Sequence, residues 1–126
     1  IDAVRRRCSF AGAGISLYQS CSGQVFEIRG DRQRIGYSGS DPTFVYQVHQ
    51  VEPADETALF MTTDGFLDEG GGPKGYGFGT ARFREMLVDG SGRPLKEQQR
   101  AFGQQLDDWR GSRKQRDDIT VFGFRL

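Results

Sequence analysis

The sequence predicts an α+β fold, built mainly from antiparallel strands, with two helices near the carboxyl terminus. Short β-prone segments alternate with Gly- and Ser-rich turns through the first half of the chain. A continuous apolar run at 58–63 is too short for a helix and suits a central strand. Apolar residues then recur at a helical spacing in the last third. The length of 126 residues fits one domain, and an aromatic content of 12% supplies material for its core.

The first part of the chain predicts a hairpin. Three short strands are expected, at Ala3–Phe10, Ser16–Cys21 and Gln24–Arg29. Ser22 and Gly23 form a two-residue turn signal between the second and third strands. In the third strand, the alternation predicts that Phe26 and Ile28 point inward and that Glu27 points outward. Polar loops are expected at 29–33 and 38–42.

The middle of the chain predicts two further strands. Thr43–Val51 is rich in β-branched and aromatic residues, which favour strands. Ala58–Thr63 is apolar throughout and indicates a strand buried on both faces. Gly70–Gly79 holds six glycines and one proline, so we expect it to be irregular or mobile.

The last part of the chain predicts two helices and a closing strand. Thr80 is a candidate cap for a helix that runs to about Val88. Pro94 is suited to open a second helix, which Gly111 is suited to end. A basic loop and an Asp-Asp pair then lead into a strand at 119–124.

Composition excludes several functional classes. Seventeen Lys and Arg balance seventeen Asp and Glu, which argues against a dedicated nucleic-acid binder. No apolar run approaches the ~20 residues of a membrane span. Two cysteines are too few for a disulfide scaffold, so a reducing, cytoplasmic setting is expected. Residues 41–70 carry seven acids and no Lys or Arg, which indicates either a solvated acidic face or a cation site.

Common catalytic motifs are missing or weak. No Gly-Lys pair exists for a Walker loop, and neither cysteine has the Cys-x5-Arg spacing of a thiol phosphatase. The glycines at 70, 72 and 75 match Gly-x-Gly-x-x-Gly without the strand and helix that this motif requires. His49, the single histidine, lies in a predicted strand away from any nucleophile pattern.

Two aspartates at strand ends are the better candidates. Asp64 closes the buried strand and Asp117 precedes the last strand. Carboxylates brought together repel unless a cation joins them, and Mg²⁺ or Mn²⁺ prefers oxygen ligands. Gly65 would allow the backbone to come close to a metal-bound water. Turn capping by the same aspartates is an equally good interpretation of each residue alone.

Four segments resemble motifs of the PPM (PP2C-like) metal-dependent serine/threonine phosphatases. Thr63-Asp64-Gly65-Phe66-Leu67-Asp68 resembles their Thr-Asp-Gly-x-x-Glu motif, and Gln115-Arg116-Asp117-Asp118-Ile119-Thr120 resembles their closing Asp-Asp-x-Thr or Asp-Asn-x-Thr motif. Phe10-Ala11-Gly12-Ala13-Gly14 is similar to an Asn-Ala-Gly turn. Gly77-Phe78-Gly79 with Arg82-Phe83 is similar to Phe-Gly-x-x-Arg-Leu. Their order and spacing fit the bacterial SpoIIE/RsbU-type branch.

The resemblance implies a fold, a reaction and a site. The fold would be part of an α-β-β-α sandwich, with residues 1–126 as the C-terminal part of the phosphatase domain, because an earlier Asp-Gly motif has no counterpart here. The reaction would be hydrolysis of phosphoserine or phosphothreonine by water activated on Mn²⁺ or Mg²⁺, with no side-chain nucleophile. The implied metal site is Asp64, Gly65 and Asp117, supported by Asp118, Asp68 and Arg116.

The resemblance also implies partners. The expected substrate is a phosphorylated anti-sigma-factor antagonist of the STAS type, and regulation would come from an upstream sensory or receiver domain in bacterial stress signalling. The expected location is the cytoplasm, either free or as the cytoplasmic part of a larger sensor. Two alternatives stay open. One is a non-catalytic, phosphatase-like module that binds a partner or forms a homodimer through sheet edges, and the other is a nucleotide-binding domain that uses the 70–79 segment.

Overall fold

The computed structural model describes all residues from Ile1 to Leu126. Eight strands and three helices follow one another along the chain. The strands are β1 (Cys8–Phe10), β2 (Leu17–Cys21), β3 (Gln24–Ile28), β4 (His49–Val51), β5 (Ala58–Thr62), β6 (Gly70–Gly71), β7 (Tyr76–Gly77) and β8 (Val121–Arg125). The helices are α1 (Asp64–Leu67), α2 (Gly79–Asp89) and α3 (Leu95–Arg110). No helix has the length and apolar character needed to cross a membrane.

The main sheet has four antiparallel strands in the order β3-β2-β5-β8. The predicted hairpin turn joins β2 to β3, and Ser22 and Gly23 both have positive φ, at 48° and 73°. These angles give the mirror-image turn that matches the twist of paired strands. β5 lies in the middle and is almost completely buried, as its apolar run predicts.

Two cores lie on opposite faces of this sheet. Helices α2 and α3 cover one face, where ten buried residues centre on an aromatic cluster of Phe66, Phe83 and Phe102. The other face carries a smaller core of five residues, in which Leu17 and Leu59 meet the two-stranded β1–β4 sheet. The chain thus has a helix layer, a large sheet and a small sheet.

Both predicted helices are present with nearly the expected bounds. α2 begins at Gly79, and the Thr80 side chain makes no capping hydrogen bond, so the predicted cap is wrong. The C=O of Pro94 accepts hydrogen bonds from the first turn of α3, and Gly111 ends the helix with φ of 61°. The one-turn helix α1 was not predicted, because it is too short to show a period.

Two predicted strands are much shorter in the structure. Within the predicted strand Ala3–Phe10, only β1 pairs with another strand. Residues 2–7 instead form a turn, which backbone hydrogen bonds between Asp2 and Arg7 close. Of Thr43–Val51 only β4 pairs. Residues 43–48 lack a partner strand, and Val45 and Val48 are exposed. Propensity alone cannot create a strand where no neighbour supplies hydrogen bonds.

The predicted orientation of β3 is wrong for Phe26 and Glu27, whereas Ile28 packs against the smaller core as predicted. Phe26 is 59% exposed, whereas the Glu27 side chain is only 16% exposed. In the register, Glu27 faces Tyr18 on the helix side, and Phe26 faces Gln19 on the other side. The Ser16 hydroxyl donates to the Glu27 carboxylate at 2.9 Å, and Arg84 lies within 3.6 Å of it, so the charge is compensated.

The glycine-rich segment is ordered rather than irregular. β6 and β7 pair as a short hairpin, with Gly70 opposite Gly77. A Cβ atom on Gly71 would lie 2.1 Å from the carbonyl oxygen of Trp109, and one on Gly72 would lie 2.8 Å from the indole ring. These glycines therefore let the hairpin pack against α3, which accounts for them without a phosphate ligand.

Candidate metal centre

Asp64 and Asp117, the predicted ligands, lie on segments that the main sheet brings side by side. Thr62 at the end of β5 and Val121 at the start of β8 face each other in the antiparallel register. Because the two strands are antiparallel, β5 ends at the same end of the sheet at which β8 begins. The residues that follow β5 therefore lie beside the residues that precede β8. Asp64 opens α1 at this edge, directly beside residues 117–120.

Hydrogen bonds of Thr63 join the two segments. Its N–H donates to the C=O of Thr120 at 3.0 Å, and the N–H of Thr120 donates back to the Thr63 hydroxyl at 3.0 Å. The same hydroxyl donates to the C=O of Asp118 at 3.4 Å. The backbones that carry the two aspartates are therefore held in a fixed relation.

Gly65 makes the closest approach between the two segments. A Cβ atom at this position would lie 2.3 Å from the carbonyl oxygen of Asp118 and 3.4 Å from Cβ of Asp117. A side chain cannot fit at 2.3 Å without a shift of the backbone. Glycine is thus required for α1 to contact the Asp117–Asp118 segment.

The carboxylate of Asp64 is half exposed and is paired with Arg34. Its Oδ2 accepts a hydrogen bond from Nη1 of Arg34 at 3.0 Å. The guanidinium also lies 5.8 Å from the centre of the Tyr37 ring. The hydrogen bond with Tyr37, and then the negative charge of Asp64, raise the pKa of Arg34. Sequence reasoning missed this residue, because it lies in a polar loop with no motif around it.

Asp117 is exposed and has no ion pair. Its Oδ1 accepts a hydrogen bond from the N–H of Asp118 at 2.7 Å, and its C=O accepts one from Gln115 at 2.7 Å. The contact with Asp118 orients the carboxylate, and the contact with Gln115 holds the backbone of Asp117.

The three supporting residues have different positions. Asp118 contributes its carbonyl oxygen to the contact with Thr63 and Gly65. Asp68 ends α1 one turn after Asp64, and its side chain is exposed without an ion pair. Arg116 lies against the glycine hairpin, with Cζ 3.3 Å from where a Cβ of Gly70 would be. The Arg116 side chain therefore packs against the β6–β7 hairpin.

The donors on this edge fit a hard divalent cation in kind but not in number. Carboxylate and carbonyl oxygens are the ligands that Mg²⁺ and Mn²⁺ prefer. Asp64 forms an ion pair with the guanidinium of Arg34, so a positive charge can lie beside this carboxylate. However, no group of three or more His, Cys, Asp or Glu side chains is arranged to hold a metal ion. The residues present thus fit part of a metal site.

Comparison with known proteins identifies close relatives. All residues from 1 to 126 match the family model of stage II sporulation protein E (SpoIIE). The SiaA-PP2C domain of Pseudomonas aeruginosa is 43% identical, with a TM-score of 0.88 over 97% of this chain and 47% of that one. The phosphatase domain of SpoIIE from Bacillus subtilis, in a Mn-presoaked form, has a TM-score of 0.73 at 16% identity, over 100% of this chain and 53% of that one. No curated protein matches the chain.

These similarities agree with the fold and the motif order. The chain spans about half the length of the solved phosphatase domains that it matches. The likeness to Bacillus subtilis SpoIIE shows the PP2C-like fold, and the predicted α+β architecture with antiparallel sheets is confirmed. With a family match over every residue, the chain belongs to the SpoIIE family of PP2C-like phosphatase domains.

Proposed function

We propose that this chain forms part of a metal-dependent protein serine/threonine phosphatase site, in which Asp64, Gly65 and Asp117 bind Mn²⁺ or Mg²⁺. The observation that carries the proposal is the contact between the Thr63–Gly65 and Asp117–Thr120 segments, fixed by the hydrogen bonds of Thr63. The motif resemblance had placed the two ligands on these segments. Family membership supports the phosphatase class.

Each residue has a distinct proposed role. The carboxylates of Asp64 and Asp117 provide negative oxygen ligands, and Gly65 lets the two segments that carry them approach each other. Asp118, Asp68 and Arg116 are proposed supporting residues, Asp118 through its carbonyl contact with Thr63 and Gly65. When bound, a divalent ion lowers the pKa of a water molecule and stabilises negative charge on the phosphoryl oxygens. No Cys or His nucleophile is needed for this chemistry.

The whole protein would act on a phosphorylated anti-sigma-factor antagonist of the STAS type, in the cytoplasm and under an upstream sensory or receiver domain. This part of the proposal rests on the motif resemblance. Because the chain spans about half of its solved relatives, we expect weak metal binding and little or no phosphatase activity from these 126 residues alone. Two carboxylates repel each other and cannot enclose a two-metal centre.

Calorimetric titration with Mn²⁺ tests the metal site. We expect weak binding to the wild-type chain that is lost in Asp64→Ala and in Asp117→Ala. Asp89→Ala is a suitable control, because Asp89 is exposed on α2 and makes no ion pair. Micromolar binding that survives Asp64→Ala would show that the metal site lies elsewhere.

One observation favours the alternative of a non-catalytic homodimer module. Phe26 and Phe122 are 59% and 51% exposed on the sheet face opposite the helices, and β3 and β8 are edge strands, each with one open side. Exposed apolar faces and open edges promote association. Sedimentation with and without Mn²⁺ separates the two functions. Strong self-association that does not depend on Mn²⁺ and is reduced by Phe122→Ser would favour the non-catalytic homodimer module.

A further inference from the structure

Four cations without ion pairs lie on two neighbouring segments of the chain. Lys74 lies in the turn between β6 and β7, and Arg113, Lys114 and Arg116 lie in the loop that follows α3. All four residues are exposed, and none forms an ion pair. Neither 70–77 nor 111–116 contains Asp or Glu, although bases and acids balance over the whole chain. We call these four residues the basic patch.

The two segments of the basic patch lie against each other. Nε and Nη2 of Arg113 both lie 3.9 Å from where a Cβ of Gly75 would be. Cζ of Arg116 lies 3.3 Å from the corresponding position of Gly70. The two guanidinium groups therefore pack on the hairpin where it has no side chains. Since Lys74 directly precedes Gly75, the cations of both segments share one surface.

Backbone and side-chain contacts hold this surface in place. The N–H of Gly72 donates to the C=O of Trp109 at 2.9 Å, which ties the hairpin to the end of α3. In the loop, the N–H of Arg113 donates to the C=O of Arg110 at 3.3 Å, and Nη1 of Arg110 donates to Oε1 of Gln115 at 3.1 Å. A surface whose backbone is already ordered loses less conformational entropy when it binds a partner.

The charge of the basic patch specifies a negatively charged partner. Like charges that share a surface repel one another, and a partner of opposite charge relieves that repulsion. Guanidinium groups also present several donors in a planar fork, which matches the two oxygens of a carboxylate. Asp and Glu side chains of a partner would therefore form charge-assisted hydrogen bonds with Arg113 and Arg116.

The surroundings of the basic patch favour a protein segment over a membrane surface. Exposed acids border the loop on both sides, with Asp107 and Asp108 before it and Asp117 and Asp118 after it. An extended anionic membrane would meet these acids together with the cations, whereas an acidic polypeptide segment can contact the cations alone. Tyr76 is the single large apolar side chain of the two segments, and binding at a membrane surface usually buries a larger apolar face.

We propose that the basic patch docks an acidic polypeptide segment of a partner protein. Because the loop continues directly into Asp117, a segment bound there would lie beside the candidate metal centre. The proposal goes beyond the proposed function, since the docking needs neither a metal ion nor a phosphoryl group.

The test is a titration of the full 126-residue chain with poly-L-glutamate in metal-free buffer, followed by amide chemical shifts. We expect shifts at residues 72–76 and 111–116, and an affinity that falls about tenfold when NaCl is raised from about 50 to about 200 mM. The double variant Arg113→Glu, Lys114→Glu should bind at least about tenfold more weakly, because two attractive charges become repulsive.

The matched control is the double variant Lys96→Glu, Arg100→Glu. Both residues are exposed on α3 without ion pairs, and the change in net charge is the same. Its affinity should stay within about threefold of the wild type, since only the long-range field changes. Thermal unfolding of both double variants shows that the comparison is made between folded chains.

Equal weakening in the two double variants, or shifts confined to residues outside 72–76 and 111–116, would overturn the inference. Vesicles of phosphatidylcholine and phosphatidylserine test the other class of anionic partner. Vesicle binding that is lost in Arg113→Glu, Lys114→Glu, with no response to poly-L-glutamate, would assign the basic patch to a membrane surface and contradict protein docking. Because these titrations contain no metal, a chain that binds no Mn²⁺ but binds poly-L-glutamate at the patch would support this inference and contradict the metal site alone.

Discussion

Thr63 and Thr120 exchange two hydrogen bonds of 3.0 Å across the sheet edge, one of them through the Thr63 hydroxyl. The hydroxyl takes the place of a backbone acceptor just where the ladder between β5 and β8 ends. The chain can therefore turn into α1 without leaving the N–H of Thr120 unpaired. This exchange holds Asp64 beside Asp117 and makes Thr63 a structural support of the candidate site.

Replacement of Thr63 by Val should remove this support without changing the size of the side chain. The N–H of Thr120 would lose its acceptor, and we expect a loss of about 1–2 kcal/mol in the free energy of unfolding. Urea denaturation measures the loss, and Mn²⁺ affinity should fall with it. Thr80→Val is the control, because the Thr80 side chain is exposed and makes no capping hydrogen bond. Equal stability of the two variants would contradict the assigned role.

Gly65→Ala should force α1 away from the 117–118 segment. The added methyl group would lie 2.3 Å from the carbonyl oxygen of Asp118, so the backbone must shift at a cost of about 1–3 kcal/mol. Gly103→Ala is a matched control in α3, where no atom lies within 4 Å of the new Cβ. Because alanine favours the helix, it should stabilise the chain by about 0.5–1 kcal/mol. Thermal unfolding of both variants is the measurement, and changes of the same sign would count against this packing.

The phenol of Tyr18 should make stability fall at high pH. Burial, reinforced by the charge of Glu27, raises the pKa of Tyr18 above its ordinary value of 10.0. The folded chain therefore keeps this proton where the unfolded chain loses it. The contribution is complete below about pH 10 and declines as the pH rises toward the higher pKa of the folded state. Urea unfolding between pH 8 and pH 11.5 should show a shallower decline for Tyr18→Phe, and parallel curves would refute the assignment.

Glu69 carries a buried carboxylate that lacks hydrogen-bond partners. It is 1% exposed, and neither Oε1 nor Oε2 accepts a hydrogen bond. Burial of such a group is costly, so Glu69→Met should stabilise the chain by about 1–3 kcal/mol. The exposed neighbour Asp68 provides the control, and Asp68→Asn should change stability by less than about 0.5 kcal/mol. Chemical denaturation measures the free energy of unfolding of both variants. A Glu69→Met variant less stable than the wild type would show that the carboxylate stabilises the fold.

Local signals were enough to predict much of the fold. The β2–β3 hairpin follows from Ser22 and Gly23, and β5 follows from its apolar run. The ends of α3 follow from Pro94 and Gly111. The turn residues, Pro94 and Gly111 restrict the backbone themselves, and the apolar run of β5 indicates burial, so these predictions need no knowledge of distant neighbours.

The errors arose where a distant partner decides the outcome. Residues 43–48 have strand propensity but no strand to pair with, and the alternation along β3 predicted Phe26 inward although it is exposed. The burial of Glu27 depends on Arg84, which comes from α2. The order of the glycine hairpin depends on Trp109 of α3. None of these contacts has a signal in the local sequence.

The same distinction applies to the candidate site. Asp64 and Asp117 could be proposed from strand ends and motif resemblance, and the structure brings their segments together. The pairing of Arg34 with Asp64 joins a loop to a helix start, and only the folded chain reveals it. Thr63 was noted as part of a motif, but its hydroxyl contact with Thr120 required coordinates.

The two faces of the main sheet are covered by cores of different size, and this difference should affect local opening of the structure. Ten buried residues form the core on the helix side, against five on the side that carries the β1–β4 sheet. Amide hydrogens of β1 and β4 should therefore exchange with water long before those of β5, since opening the thin side breaks fewer apolar contacts. The β1–β4 side should therefore open locally while the aromatic core on the helix side stays closed.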